Sequence, residues 1–281
     1  MIAQNGERLV ADIDWDEVIS ELDAGFEQEP PSVDGSNDVI WYFRASNWII
    51  CTPLVDADGS VYFGSGDGNF YALDASGDET WRYNIGAPII ADPIFDNQGR
   101  IIFGALDGAL YCLNKDGSVV FIYWTEGPIF SKASVDLAGN IYFGSNDFYV
   151  YKLNPSGEVL GRFETGGWVD SEPTFLSDGR LCFSSYDGVI YVVDQDLAEL
   201  ARYETDTWLT RALAVGPDDT IYAGGTDGFL YAVDPSGVLK WQFDSGQAIF
   251  SSPVVTDTSV FFGSNAGRFY SVDAAQGFEK W

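Results

Sequence analysis

Histidine is absent from these 281 residues. A His-based triad, a His metal site and an imidazole proton shuttle are all excluded with it. Cysteine is scarce. Cys51, Cys112 and Cys182 stand far apart and match neither a metal nor a redox spacing. Each sits in an apolar strand-like run, which predicts buried free thiols. Basic residues are few, 14 against 43 acidic ones, giving a formal charge of −29. Such a field repels nucleic-acid phosphates and anionic membrane surfaces, so neither is an expected partner. It favours cations, basic partners, or a saline habitat in which an acidic surface stays solvated. No run approaches the roughly 18 apolar residues of a membrane span. The start, "MIAQNGERLVADIDWDEVISELD", has no basic n-region and no apolar h-region. As written, the chain reads as soluble and cytoplasmic; an envelope or secreted location is the alternative if a leader precedes it.

What the chain has in plenty is glycine and aromatic rings, and they fall at a fixed interval. Gly64, Gly104, Gly144, Ser184, Gly224 and Gly263 are separated by 40, 40, 40, 40 and 39 residues. Tyr71, Tyr111, Tyr151, Tyr191, Tyr231 and Tyr270 keep the same step, as do Tyr83, Tyr123, Phe163, Tyr203 and Phe243. A period of this length marks a repeat architecture. Each unit carries four strand signals. In the first they are "WIICTPLV" (48–55), "SVYFGS" (60–65), "FYALD" (70–74) and "ETWRYN" (79–84). "DADG", "GDG" and "ASGD" between them are turn chemistry. Four short antiparallel strands per unit make a propeller blade. The expectation is an all-β, six-bladed β-propeller over 39–281, preceded by an acidic extension at 1–38. Asp14, Trp15, Glu17, Ile19 and Leu22 predict a short helix in that extension, and "EQEPPSVDGSND" reads as a linker.

The units resemble the pyrroloquinoline-quinone-like (PQQ-like) repeat. "VYFGSGDGNFYALDASGDETW" and "IYAGGTDGFLYAVDPSGVLKW" carry the likeness, with Ser251–Val255 matching the family's first-strand motif. The resemblance implies that Trp41, Trp81, Trp241 and Trp281 dock outermost strands on neighbouring blades; Phe121, Gly161 and Ala201 depart from that pattern. "VIWYF" (39–43) and "FEKW" (278–281) compete to complete the last blade. The expectation is closure by 39–43, because an open ring leaves an exposed edge.

Strand phase puts Trp48, Trp168 and Trp208 on the face formed by the inter-blade loops, with Trp124 beside them and Tyr186 joining from a turn. Exposed aromatics there suit a protein or a sugar. The alternative is that the rings merely fill gaps. On the innermost strands, Asp92, Lys132 and Glu172 share one position, and Asp170 and Arg211 form a second pair. Buried charges must pair, so channel salt bridges are one reading and a polar ligand site the other. Asp67, Asp107, Asp147, Asp187 and Asp227 read as turn residues, or as a cation-attracting ring. "DADG" at 56–59 lacks the rest of a calcium loop, so no metal is expected.

The resemblance extends to quinoprotein dehydrogenases, but this chain has neither their adjacent cysteines nor an acid matched to their catalytic role. It also extends to outer-membrane barrel-assembly scaffold lipoproteins, which hold partners. The expected function is a non-catalytic, cofactor-free scaffold binding a protein or peptide through one face. A small-ligand or carbohydrate binder at the channel mouth is the alternative, and a quinone-dependent enzyme the remotest.

Overall fold

The structure is a computed structural model whose described residues are 41–281, excluding the side chains of 210–212. The helix and extension expected at 1–38 therefore lie outside the described residues. Blade one comprises β1 (Leu54–Val55), β2 (Val61–Gly64), β3 (Asn69–Leu73) and β4 (Glu79–Asn84). Blade two comprises β5 (Ile94–Phe95), β6 (Ile101–Gly104), β7 (Ala109–Leu113) and β8 (Val119–Trp124). Blade three has β9 (Ser134–Val135), β10 (Ile141–Gly144), β11 (Tyr149–Leu153) and β12 (Val159–Glu164). Blade four has β13 (Thr174–Phe175), β14 (Leu181–Ser184), β15 (Val189–Val193) and β16 (Glu199–Glu204). Blade five has β17 (Leu209–Val215), β18 (Ile221–Gly225), β19 (Phe229–Val233) and β20 (Leu239–Asp244). Blade six has β21 (Val254–Val255), β22 (Ser259–Ser264) and β23 (Arg268–Asp273). Every sheet is an antiparallel meander in sequence order. The described residues are thus all-β and form six blades, as the period predicts. Among the described residues no helix is long and apolar enough to cross a membrane.

Packing explains the regular spacing along the chain. Hydrophobic clusters lie between consecutive blades: Phe70 of blade one stacks on Phe103 of blade two at 4.1 Å, and Ile89 of the intervening loop lies on Gly64. A Cβ at Gly64, Gly104, Gly144 or Gly224 would fall 2.2–2.7 Å from Ile89, Ile129, Val169 or Ile249. The glycine column is therefore a close-approach column. At the rim, the Trp81 Nε1–H donates to the Lys115 carbonyl at 2.8 Å, and the Trp241 Nε1–H to Ala274 at 3.1 Å. Their rings lie flat against Gly117 and Gly277 of the next hairpin, where a Cβ would clash.

Except for β17, the innermost strands are shorter than "WIICTPLV" suggests. Only Leu54–Val55 is strand in that run, and Ile49 and Ile50 are 41 % and 54 % exposed. Ahead of the short strand in blades one, three, four and six, a small side chain, Cys51, Ser131, Ser171 or Ser251, clips the next strand. Ser131 Oγ accepts the Gly144 N–H at 2.8 Å and donates to its carbonyl at 2.9 Å. Cys51 does the same for Gly64 through its thiol. All three cysteines are buried and free.

Closure by 39–43 is not what the structure contains. The slot beside β23 is taken by the other chain end: Asp273 N–H donates to Phe278 O at 2.7 Å, and Ser271 N–H to Trp281 O at 3.0 Å. Trp41 and Phe43 pack instead on blade one, with Trp41 Nε1 donating to Ala75 O at 3.2 Å. Residues 39 and 40 are outside the described residues. Period alone could not choose, because Trp41 and Trp281 stand in the same phase.

Candidate binding face

The turn between the second and third strands of each of the first five blades is built on one aspartate. Asp67, Asp107, Asp147, Asp187 and Asp227 accept the hydroxyl of the tyrosine four residues on, at 2.7, 2.6, 2.6, 2.7 and 2.5 Å. Each also accepts a backbone N–H two residues on. Asp67, Asp147 and Asp187 reach further, to the N–H of Ser46, Glu126 and Gly166 in the loop joining the neighbouring strands. Burial alone would raise the Asp67 pKa, but these donors outweigh it and hold the carboxyl below its ordinary value. The tyrosines move the other way. Burial, reinforced by the Asp67 carboxylate, pushes Tyr71 up to about 12. The two columns, tyrosine and aspartate, were both legible in the sequence; that they bond to each other was not.

These turns position the face. Tyr186 N–H donates to the Trp168 carbonyl at 2.9 Å, and Thr226 N–H to that of Trp208 at 3.0 Å. Thr165 and Thr205 hydroxyls each bridge two carbonyls and hold the loops that carry the two tryptophans. The rings stand in file: Trp168 to Tyr186 at 5.6 Å, and Tyr186 to Trp208 at 6.5 Å. Trp208 is 49 % exposed. Beside it opens a cleft of about 360 Å³ lined by Glu204, Thr205, Asp206, Thr207 and Asp227. Sequence reasoning misses Glu204 and Asp206; their place just before Trp208, Glu204 at the end of β16 and Asp206 in the loop that follows, is the available signal.

The other predicted face residues do not join that file. Trp48 is 2 % exposed, its ring laid over Gly66 and packed with Ile90, Phe130 and Leu106. The bare glycine beneath it lets the ring fall inward, so the expected exposed Trp48 is corrected to a buried one. Its Nε1 has no hydrogen-bond partner, and neither polar atom of the buried Asn146 amide has one. Trp124 is exposed, but it ends β8 on the outermost strand of blade two. Among the described residues it makes no ring contact with the file.

The inner polar residues pair in part. Lys132 Nζ lies 3.2 Å from Glu172, which also accepts from Ser134. Asp92 does not complete a triplet with Lys132; it accepts the Thr52 N–H of the preceding blade. Asp170 is buried, and the Arg211 side chain lies outside the described residues. No group of three or more Cys, Asp or Glu placed to hold a metal ion occurs among the described residues.

Successive antiparallel blades, glycine close-approach points and rim tryptophans on the neighbouring hairpin define a PQQ-like β-propeller. A family profile described as "Outer membrane protein assembly factor BamB" matches residues 32–202 and again 146–281. The chain belongs to that family. Among solved structures it is similar to "BamB from Moraxella catarrhalis", with a TM-score of 0.74 and 20 % identity over 86 % of this chain and 78 % of that one. It is also similar to the computationally designed Ika8 protein, with a TM-score of 0.69 and 17 % identity over 79 % of this chain and 70 % of that one. At such identities the likeness speaks for the fold. No curated protein matches the chain in sequence.

Proposed function

We propose that the chain is a non-catalytic scaffold that binds a protein or peptide through the face carrying Trp168, Tyr186 and Trp208. The observation that supports this most is the file of three rings on backbone anchored from two blades, beside a cleft bordered by Glu204, Asp206 and Asp227. Rigid aromatics give large contact area at low entropic cost, and pre-anchored loops reduce the ordering cost of binding. The acidic border and the net charge of −29 select a basic segment over an acidic one. The family description, which names outer-membrane protein assembly, favours a cell-envelope setting over the cytoplasmic one read from the sequence.

Peptide-display selection on the purified chain tests this. Enriched peptides are expected to be basic and to carry apolar residues. Their affinity is expected to fall roughly tenfold or more, about 1.4 kcal/mol, on Trp208→Ala or Trp168→Ala. Trp124→Ala is expected to leave it unchanged. Peptides without a basic bias, or affinity indifferent to Trp168 and Trp208, would overturn the reading.

One observation favours a second reading, a small ligand at the channel mouth. The buried Asn146 amide and Trp48 Nε1 have no partners, and each such group costs roughly 1–3 kcal/mol. A glycan array in which a hit depends on Asn146 but not on Trp208 would favour it.

A further inference from the structure

In three blades an arginine on the outermost strand stands across the ladder from the aspartate-bonded tyrosine. Arg82 pairs with Tyr71, Arg162 with Tyr151 and Arg202 with Tyr191. Each guanidinium lies over a phenol: Arg82 over Tyr71 at 5.2 Å, Arg202 over Tyr191 at 5.4 Å and Arg162 over Tyr149 at 4.3 Å. In blade five the same ladder position, opposite Tyr231, holds Gln242. The cleft beside Trp208 opens there, with Tyr203, Tyr231 and Gln242 among its walls. Its acids are also less engaged. Asp67, Asp147 and Asp187 receive a loop N–H on the oxygen that takes the tyrosine hydroxyl. Among the described residues Asp227 Oδ2 receives the Tyr231 hydroxyl alone. Neither Asp206 nor Asp227 has an ion-pair partner among them, and Glu204 lies 3.6 Å from Arg202. Tyr203 meets Tyr231 at 6.0 Å as Tyr123 meets Tyr151 at 5.6 Å, so the two clefts correspond. Burial raises the pKa of both Tyr123 and Tyr203; Arg162 offsets part of the first rise, whereas Asp206 adds to the second. Blade two lacks the arginine too, but Ile122 stands there, and Asn84 and Gly86 replace Glu204 and Asp206.

We propose that the blade-five cleft is a subsite for one arginine side chain of the partner polypeptide, whose guanidinium takes the place that Arg82, Arg162 and Arg202 occupy in the sister blades. The proposal rests on the reading of this face as peptide-binding and names the side chain it selects. The sister blades state the ligand: a planar cation laid on a phenol beside the tyrosine–aspartate pair. A guanidinium stacks on an aromatic face and carries forked donors, so it can lie on Tyr231 and donate to Asp206 and Asp227 together. A lysine ammonium would meet the same carboxylates as a point charge and forgo the stacking. Glu204, Asp206 and Asp227 are not grouped to hold a metal ion, which leaves the larger organic cation.

N-acetyl-arginine amide, titrated into the full chain and followed by amide NMR, is the first probe. Saturable shifts of the Asp206 and Asp227 amides are expected at millimolar concentrations. They are expected to vanish with the uncharged N-acetyl-citrulline amide, and in Gln242→Arg, which supplies the sister blades' own arginine. Gln242 is exposed, so that variant is expected to melt as the parent does. The second probe is the set of basic peptides selected on this face. Replacing one of their arginines by citrulline is expected to weaken binding roughly tenfold or more, and by lysine roughly threefold or more. In Gln242→Arg the citrulline change is expected to cost nothing further. Shifts that the citrulline amide reproduces, that persist in Gln242→Arg, or that never arise overturn the subsite. Peptides that depend on Trp208 but ignore both changes overturn it as well, and leave the peptide-binding face standing. Arginine-amide shifts without any Trp208-dependent peptide overturn the face itself and move the site to a small guanidinium compound.

Discussion

Leu197 holds a φ of 63°, a backbone region where the equivalent hairpin positions carry Gly77, Gly117, Gly157, Gly237 and Gly277. It is 6 % exposed and packs in the cluster between blades three and four. The preceding outermost strand has Gly161 where blades one, two and five have Trp81, Phe121 and Trp241. Where Trp41, Trp81, Phe121 and Trp241 hold that position the ring lies on Gly77, Gly117, Gly157 and Gly277 of the next hairpin; here the ring is missing and the next hairpin carries a leucine instead. Leu197→Gly removes a buried side chain but relieves the left-handed backbone, for a net cost of roughly 1–3 kcal/mol. Gly161→Trp alone overpacks the same space, at roughly 1–3 kcal/mol. The double variant is expected to recover most of both losses. A urea-unfolding cycle in which the two costs simply add would refute the exchange. The sequence showed that Gly161 departs from the tryptophan column. It did not show the compensation, because a non-glycine residue in a left-handed turn leaves no trace in periodicity.

Among whole elements, the second strand of most blades carries a glycine at or near its end, and its role depends on the loop packed against it. Gly104 has Ile129 Cγ2 at 2.2 Å from an added Cβ; Gly263 has nothing nearer than 3.7 Å. Gly104→Ala is therefore expected to cost about 1–3 kcal/mol, since both the strand and the side chain behind it must shift. Gly263→Ala is expected to stay within about 0.5 kcal/mol of the parent. Thermal melts of the two variants make the comparison. Equal losses would mean that blade six is covered as the others are. The strand meander, the turns and the glycine column were legible because apolar alternation and turn residues are local signals. The shortness of the innermost strands was not: the side chains of "WIICTPLV" are apolar whether or not their backbone joins a ladder. Asp67 and its counterparts read as turn residues from their spacing. The further bond that Asp67, Asp147 and Asp187 make to the neighbouring loop depends on a tertiary contact that spacing does not report.

Over the molecule as a whole, alkali acts on buried thiols and phenols. Buried Cys51 has its pKa raised from 9.0 to about 11, chiefly by desolvation, and Tyr71 rises from 10.0 to about 12. Tyr111, Tyr151, Tyr191 and Tyr231 are raised by burial and by their aspartates as well. The folded chain holds these protons more tightly than the unfolded chain. Their contribution is complete below about pH 9 and is lost as pH climbs through about 11 to 12. Urea midpoints are thus expected to be level from pH 7 to 9 and to fall steeply above it. A midpoint flat to pH 11 would contradict the buried pairs. That the blades lie side by side was readable from the period. How the ring ends was not, because phase gives a strand's place in its blade and not the identity of its neighbour.

Phe269 of blade six and Val55 of blade one are 60 % and 57 % exposed, and faces left uncovered in this way have a consequence for how the described blades come apart. A closed band must break an internal seam before any part can leave, whereas a row of five like seams with two free ends can peel. Blade six, held by one seam and edged by only four residues, Phe278–Trp281, is where peeling begins. Amide exchange should then be graded along the row, slowest in blades three and four and quickest beyond Ser251, so that the chain unravels in order of distance from its middle.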